Sequence, residues 1–359
     1  MPTIHIFNAT IILPESILKH SSVTLKGSKI FALNKKAPKG ALPVDARGAY
    51  LSPGFIDTHI HGNPDNIIRN ETKYGTTAFV AAVSCGRPVP EISGYSGTLG
   101  VRLEGPYINP AMAGAQDKRY IWTSIPHRGW NYLNRFHPRC GISPLSGMDV
   151  PTVKMMTLAP EMPGAGPLIR LCKERGVIPS IGHSDASYEE AKKSFDLGIR
   201  HATHLFNAIS GPRHGTAGAG LAALFDKRVT VEVIADLKHV RPELLRLVFA
   251  VKDPAKIMLI TDSVRAEKPL MSTPGVDIRV AGAGHMIDCV KNVVKYCGVS
   301  LIDAVRMAST NPAGFFGAGR RKGSIAPGKD ADLVIFDKNF NVKFTVIGGK
   351  IVYQKKELS

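Results

Sequence analysis

The 359-residue sequence predicts an α/β fold, a (β/α)8 TIM-like barrel with a small β-sandwich domain formed from both termini. Three observations predict it. Apolar, strand-like runs alternate with amphipathic helical patterns through the middle of the chain. Both ends are rich in short strand patterns and carry no long helical one. Polar residues recur where the middle runs stop, which is where a barrel places its working groups.

At the N-terminal end, residues 1–52 contain "TIHIFNATIIL", "SVTLKGSKIFAL" and "PVDARGAYLSP", broken by Gly, Pro and Asn. The same character returns from Gly323 in "GSIAPGKDADLVIFD" and "NVKFTVIGGKIVYQ", where Gly348-Gly349 marks a hairpin turn. The expected division is a small β-sandwich from residues 1–52 and 320–359 around a barrel of residues 53–319.

In the middle, eight runs read as strands: "GFIDTHIH", "TTAFVAAVS", "GTLGVRLEG", "TVKMMTLAPE", "GVIPSIGHS", "IRHATHLFN", "VTVEVIAD" and "KIMLITDS". Helical patterns follow several of them, among them "PLIRLCKERG", "SYEEAKKSFDLG" and "RPELLRLVFAVKD". Two more, "MIDCVKNVVKYCG" and "SLIDAVRMAST", come after the eighth. One wall is weak: "CGRPVPEISGYSG" (85–97) holds too much Pro, Gly and Ser for a full helix.

Composition excludes several classes. Hydrophobic residues make up 44% of the chain, as in an ordinary globular protein. No charged-then-apolar leader and no membrane-length apolar run is present, so the expected location is the cytoplasm and no membrane partner is expected. The five cysteines (Cys85, Cys140, Cys172, Cys289, Cys297) include no CxxC pair, which points to reduced thiols rather than a disulfide or cysteine–zinc framework. The net charge of +17 fits a diffuse solvated surface, steering of an anionic small substrate, or nucleic-acid binding. Its clusters are short, as in Arg320-Arg321-Lys322 and Lys355-Lys356, and no nucleic-acid motif accompanies them.

The chemistry lies at the strand ends. In "GFIDTHIHG", His59 and His61 are two residues apart, so on a strand they share a face, and adjacent neutral imidazoles suit a divalent metal. A hydrogen-bonded pair at a strand edge is the alternative. Glu104 ends the third run, His183 the fifth, His204 the sixth and Asp262 the eighth, while His239 follows the seventh. Packing alone does not account for four histidines, a glutamate and an aspartate on one edge. A metal-assisted hydrolase does: a divalent ion on N and O ligands makes hydroxide available near neutral pH, and a carboxylate beside it moves the proton.

These residues resemble the amidohydrolase superfamily and, within it, the N-acetylglucosamine-6-phosphate deacetylase family. The resemblance is carried by "PGFIDTHIHG", "LEGPYINP", "TLAPE", "SIGHSDASYEEA", "HATHLFNA", "LITDS" and "GSIAPGKDADLVIFD", and covers nearly the whole chain in order. It implies hydrolysis of the 2-acetamido group of an amino sugar phosphate. It further implies one metal on Glu104, His183 and His204, and a second on His59 and His61 with Glu104 bridging. Zn is the expected ion, with Fe, Mn or Co accepted by similar ligands. Asp262 matches the general base and acid, His239 a substrate-contacting histidine, and Asn207 and Ala208 residues near the sugar phosphate. A homodimer is also implied.

The pattern is broken in places. Gln116 stands twelve residues after Glu104, where the family usually has a histidine that polarises the substrate carbonyl. Arg102 replaces a frequent histidine. The loop "ISGPRHGTAG" lacks the usual phosphate-contacting arginine, for which Arg213 or His214 could substitute. These departures leave another N-acyl amino sugar or a non-catalytic relative open as alternatives. A cyclic-amide hydrolase with a carboxylated lysine is less suited, because Lys154 lies at the wrong end of the fourth run.

Overall fold

A computed structural model describes residues 2–92, 97–124, 153–265 and 284–355. Cys140, Lys356 and residues 93–96 of the Pro- and Gly-rich wall lie outside the described residues.

The chain begins with β1 (Ile4–Ile12), β2 (Ile17–Lys26), β3 (Lys29–Leu33), β4 (Leu42–Asp45) and β5 (Tyr50–Pro53). It then enters the barrel through β6 (Phe55–Gly62), β7 (Thr76–Ser84), β8 (Thr98–Glu104), β9 (Val153–Leu158), β10 (Ile178–Ile181), β11 (His201–Ala202), β12 (Thr230–Ile234), β13 (Ile257–Ile260) and β14 (Ser263–Arg265). It returns to the first sheet with β15 (Leu333–Phe336), β16 (Val342–Ile347) and β17 (Lys350–Gln354). The first sheet has the order β17-β16-β15-β5-β1-β2-β3, with β4 beside β1. The antiparallel pairing of β15 with β5, from Leu333 against Pro53 to Phe336 against Tyr50, joins the two ends of the chain. This domain has its own core of Ile4, Ile6, Ile11, Val23, Leu25, Leu333 and Ile335 with their neighbours. The Gly348-Gly349 turn adopts positive φ at both residues, as a two-residue hairpin between β16 and β17 requires.

The second sheet is parallel, in the order β13-β12-β11-β10-β9-β8-β7-β6-β14. Closure comes from one passage of chain. β13 pairs with β12 on one side, and β14, three residues on, pairs with β6 on the other. The Asp262 N–H also donates to the His59 carbonyl at 2.9 Å. The eighth strand is thus split in two so that it can bond both neighbours. The outer helices are α1 (Pro64–Glu71), α2 (Ala165–Glu174), α3 (Tyr188–Leu197), α4 (Gly218–Phe225), α5 (Pro242–Val251), α6 (Met286–Cys297), α7 (Leu301–Val305) and α8 (Asn311–Phe315). Their apolar faces pack on the strands in a single large core. Ser187 and Glu190 form a reciprocal capping box that starts α3. Among its described residues, the weak wall after β7 carries no helix. Also among the described residues, no helix is long and apolar enough to cross a membrane.

Several strands are shorter than the apolar runs suggest. The run 199–207 pairs only over His201–Ala202, because His204, Phe206 and Ala208 all adopt positive φ and take the chain out of the sheet. Among the described cysteines, Cys85, Cys172 and Cys289 are buried and Cys297 is half-buried.

Gly54 joins the two domains. A Cβ there would lie 2.1 Å from the Thr77 Oγ1 and 2.3 Å from its Cγ2. Gly54→Ala should therefore lower stability by about 1–3 kcal/mol, as overpacking does. Urea denaturation checks this, and Thr77→Ala in the same chain should restore part of the loss.

Candidate metal centre

The four histidines and two carboxylates singled out in the sequence meet at one end of the barrel. His59 and His61 project together from β6, and Glu104 is the last residue of β8. His183, His204 and Asp262 each lie two residues beyond the last paired residue of β10, β11 and β13, with φ of 49°, 30° and 48°. Left-handed backbone is costly for such residues and collects where a side chain must be aimed. Gly182 permits the turn at His183: a Cβ on it would meet Thr157 Cγ2 at 2.8 Å and Thr203 Cβ at 2.9 Å.

Glu104 is the hub. Its Oε1 lies 3.1 Å from His183 Nε2, 3.0 Å from His204 Nε2 and 3.3 Å from His59 Nε2. Its Oε2 lies 3.3 Å from His61 Nε2. Asp262 Oδ1 sits 3.2 Å from His59 Nε2 and 3.4 Å from His61 Nε2. Burial opposes ionisation of Glu104, yet the surrounding imidazoles outweigh it and hold the carboxyl well below its ordinary range. Asp262 is lowered in the same way, chiefly by His59 and His61 against its burial. Burial and the Arg102 charge resist protonation of His59, but Asp262 and Glu104 push it up to about 10.

The hydrogen bonds on the far side of the rings decide what the cluster can hold. The His183 Nδ1 donates to the Met112 carbonyl at 2.9 Å, and the His204 Nδ1 to the Asn207 carbonyl at 2.9 Å. A carbonyl only accepts, so both rings carry their proton on Nδ1 and, when neutral, present a bare Nε2. Those two nitrogens are 3.2 Å apart, and both face the Glu104 carboxylate. Lone pairs converging in this way call for a cation. The His61 Nδ1 lies 3.2 Å from Ser84 Oγ, a hydroxyl able to donate or accept. The ligand atoms fall into two sets, His59, His61, Glu104 and Asp262, and Glu104, His183 and His204, each within 4.8 Å. Glu104 belongs to both. Imidazole and carboxylate donors suit Zn²⁺ and its first-row neighbours.

The other residues singled out in the sequence lie around this cluster. Gln116 is buried, and its amide donates to Glu104 Oε2 at 2.6 Å while its oxygen accepts from the Cys85 N–H at 2.8 Å. The His239 Nδ1 meets the Asp236 carboxylate at 2.7 Å. Asn207 supplies the carbonyl that orients His204, and the Ala208 carbonyl accepts from the Ser184 N–H. Arg213 and His214 are exposed on a tight loop outside the cluster, where the Arg213 and Thr216 backbones bond each other.

Sequence reasoning missed several supporting residues. Asp57 ties β6 to the end of β13 by accepting from the Thr261 hydroxyl at 2.6 Å and from the His59 N–H at 3.2 Å. Burial pushes its carboxyl up to about 7, against the bonds from Thr261 and His59. Glu161, in the "TLAPE" motif, accepts from Asn109, Ser184 and Asp185, so it locks together the loops after β8, β9 and β10. Beneath the cluster, Arg102 and Glu232 form a fully buried ion pair at 2.5 Å. Arg102 also donates to Thr203 Oγ1 at 2.9 Å. Burial opposes the Glu232 charge, but Arg102 and then His201 keep it far below the ordinary carboxylate range. The signal was available: Arg102 is two residues before Glu104 on one strand, and Glu232 interrupts an apolar run.

Fold and site together define a class, the barrel hydrolases whose chemistry rests on an imidazole–carboxylate cluster able to hold a metal. Residues 168–352 match the amidohydrolase family, and the chain belongs to it. It is 29% identical to the N-acetylglucosamine-6-phosphate deacetylase of Bacillus subtilis (strain 168), over 97% of this chain and 96% of that protein. It is 28% identical to the N-acetylgalactosamine-6-phosphate deacetylase of Escherichia coli O157:H7, over 84% of this chain and 87% of that protein. Among solved structures, the N-acetylglucosamine-6-phosphate deacetylase from Pasteurella multocida superposes with a TM-score of 0.83 at 25% identity, covering 97% of this chain and 99% of that one.

His201 provides a pH test of the buried interior. Burial drives its imidazole down to about 3 from the ordinary 6.5, aided by Arg102 and opposed by Glu232. Between those values the unfolded chain binds the extra proton, so the stability His201 carries is complete above about pH 6.5 and is lost as the pH falls toward 3. Urea denaturation of metal-free protein should show a smaller loss from pH 6.5 to 4 in His201→Asn than in the parent. The difference should be about 3 kcal/mol at most. Parallel losses would show that His201 carries none of it.

Proposed function

We propose that the chain removes acetate from N-acetylglucosamine-6-phosphate: water and the amide give glucosamine-6-phosphate and acetate. The observation that carries the proposal is one buried carboxylate, Glu104, shared by two imidazole sets with Asp262 beside it. The names of the relatives and the near-complete coverage support the substrate.

In this reading His183, His204 and Glu104 hold one divalent ion, and His59 and His61 hold a second against Glu104. When bound, the metal acidifies a water and polarises the amide carbonyl. Asp262 is 20% exposed while Glu104 is 3% exposed, so substrate and water approach from its side of the cluster. Its carboxylate takes the proton from the attacking water and returns it to the nitrogen as the C–N bond breaks. Gln116 restrains the Oε2 edge of Glu104 and so fixes the carboxylate that both imidazole sets share. His239, Asn207 and Ala208 line the approach of the sugar, and Arg213 or His214 meets the phosphate. Zinc is the metal we favour. A homodimer is the assembly that the family resemblance supports, and the cytoplasm suits a phosphorylated sugar, whose charge keeps it from crossing a membrane.

The likeness to an N-acetylgalactosamine-6-phosphate deacetylase, together with the altered 209–218 loop, makes the galacto epimer the second reading.

Acetate release should be measured with metal-reconstituted protein on the two phosphorylated sugars and on unphosphorylated N-acetylglucosamine. The gluco phosphate should be turned over fastest, and Asp262→Asn should lower that rate by about 10²–10⁴-fold. Preference for the epimer or the plain sugar would replace the substrate, and no release from any would overturn the proposal. Separately, His59→Ala/His61→Ala should lose about one metal equivalent per chain by elemental analysis. An unchanged content would leave a single-metal centre.

A further inference from the structure

Three of the four cluster histidines have an uncharged oxygen against Nδ1: Met112 and Asn207 carbonyls for His183 and His204, and the Ser84 hydroxyl for His61. His59 differs. Its Nε2 points at Glu104 and Asp262, so when that nitrogen serves a metal the ring proton sits on Nδ1. Nδ1 is fully buried and makes no hydrogen bond. The group facing it is Glu232 Oε2, at 3.6 Å, and that oxygen is also buried without a partner. Two orphaned atoms, a donor and a charged acceptor, are therefore aimed at each other across a gap a few tenths of an ångström too long.

The other Glu232 oxygen is fully occupied. Oε1 accepts from Arg102 Nη1 at 2.5 Å and from the Thr58 hydroxyl at 3.0 Å. Arg102 is in turn fixed by the Thr58 carbonyl at 3.1 Å and by Thr203. The pair is thus held on one side and free on the other, where His59 lies. A buried ion pair without a further use is weakly justified, since apolar residues of similar volume often serve stability as well.

We infer that Glu232, clamped by Arg102, is the positioning residue of His59 and thereby sets the affinity of the metal position that His59 and His61 build. The inference rests on the two-metal reading of the cluster. A carboxylate accepting from the distal ring nitrogen fixes tautomer and orientation and makes the imidazole a stronger donor, an arrangement worth about 10–100-fold in metal affinity. One of the two positions is consequently tuned by a charge and the other by neutral carbonyls.

The test uses the full chain and Co²⁺, whose visible absorption reports each site's ligand geometry, with affinities from chelator competition. The parent should bind two equivalents. Glu232→Gln should weaken one equivalent by about 10–100-fold and alter its absorption, leaving the His183–His204 position unchanged. Glu232→Asp should restore part of the loss. Should Glu232→Gln fail to fold, Arg102→Met/Glu232→Leu removes both charges at similar volume and should show the same one-site weakening. Ser180→Ala perturbs the same polar interior through the His201 ring, 2.8 Å from its hydroxyl, and should lower stability without moving either affinity. Two equivalents bound by the Glu232 variants with parental affinity and spectrum would overturn the inference alone. A parent that binds fewer than two would overturn the two-metal reading and the inference with it.

Discussion

One buried carboxylate sets the terms for the rest of this molecule. Glu104 lies at the end of β8 with an Nε2 from each of four histidines within 3.3 Å of its oxygens. Two of those nitrogens are left bare by the carbonyls behind them, so the arrangement is repulsive unless positive charge occupies the centre. The fold spends much of its local irregularity on holding this geometry. Left-handed backbone at His183, His204 and Asp262 aims three side chains inward, and the split eighth strand lets Asp262 bond the His59 carbonyl while its side chain faces the cluster.

The interior beneath follows from the same demand. Barrel interiors are usually filled by branched apolar layers. Here Arg102, Thr157, Ser180, His201, Thr203 and Glu232 form a connected polar layer, every one of them buried. Ser180, His201 and Glu232 resemble a nucleophile, base and carboxylate in sequence of contact, but all three are fully buried and no substrate reaches them. Ser180 bonds His201 and Thr203 within this layer, and of the three only Glu232 faces a histidine of the cluster. Breaking such a pair from one side alone is costly, about 3–5 kcal/mol. The layer therefore holds together as a unit.

How much of this was legible depended on parity and on where apolar runs end. His59 and His61 could be placed together because two-residue spacing on a strand means one face, and Glu104, His183, His204 and Asp262 each close an apolar run. Arg102 shows the limit of reading by resemblance. Visible by resemblance only as the replacement of a frequent histidine, it lies inside the barrel, as its two-residue spacing from Glu104 implies. Glu232 was passed over because a lone acid in "VTVEVIAD" is noticed only once its partner is known, and that partner is 130 residues away. Strand lengths were overestimated for a related reason: hydrophobicity continues past Ala202, while positive φ at His204 and beyond ends the pairing. The Gln116 contact with Glu104 was invisible because it depends on how a loop folds back.

The motifs that carry the family resemblance divide accordingly. In "TLAPE", "GHSD" and "THLFNA", residues beside the cluster histidines serve the scaffold: Glu161 locks three loops, Ser184 and Asp185 bond it, and Asn207 orients His204. Such residues tie the C-terminal ends of neighbouring strands to one another. The loop that carries Arg213 and His214 is tied at its root, where Ser210 bonds Ser184 and Ala186, and is exposed at its tip. Departures from the family pattern are not confined to that loop: Gln116 bonds Glu104 itself and Arg102 lies beneath the cluster, while the four histidines and Asp262 surround Glu104.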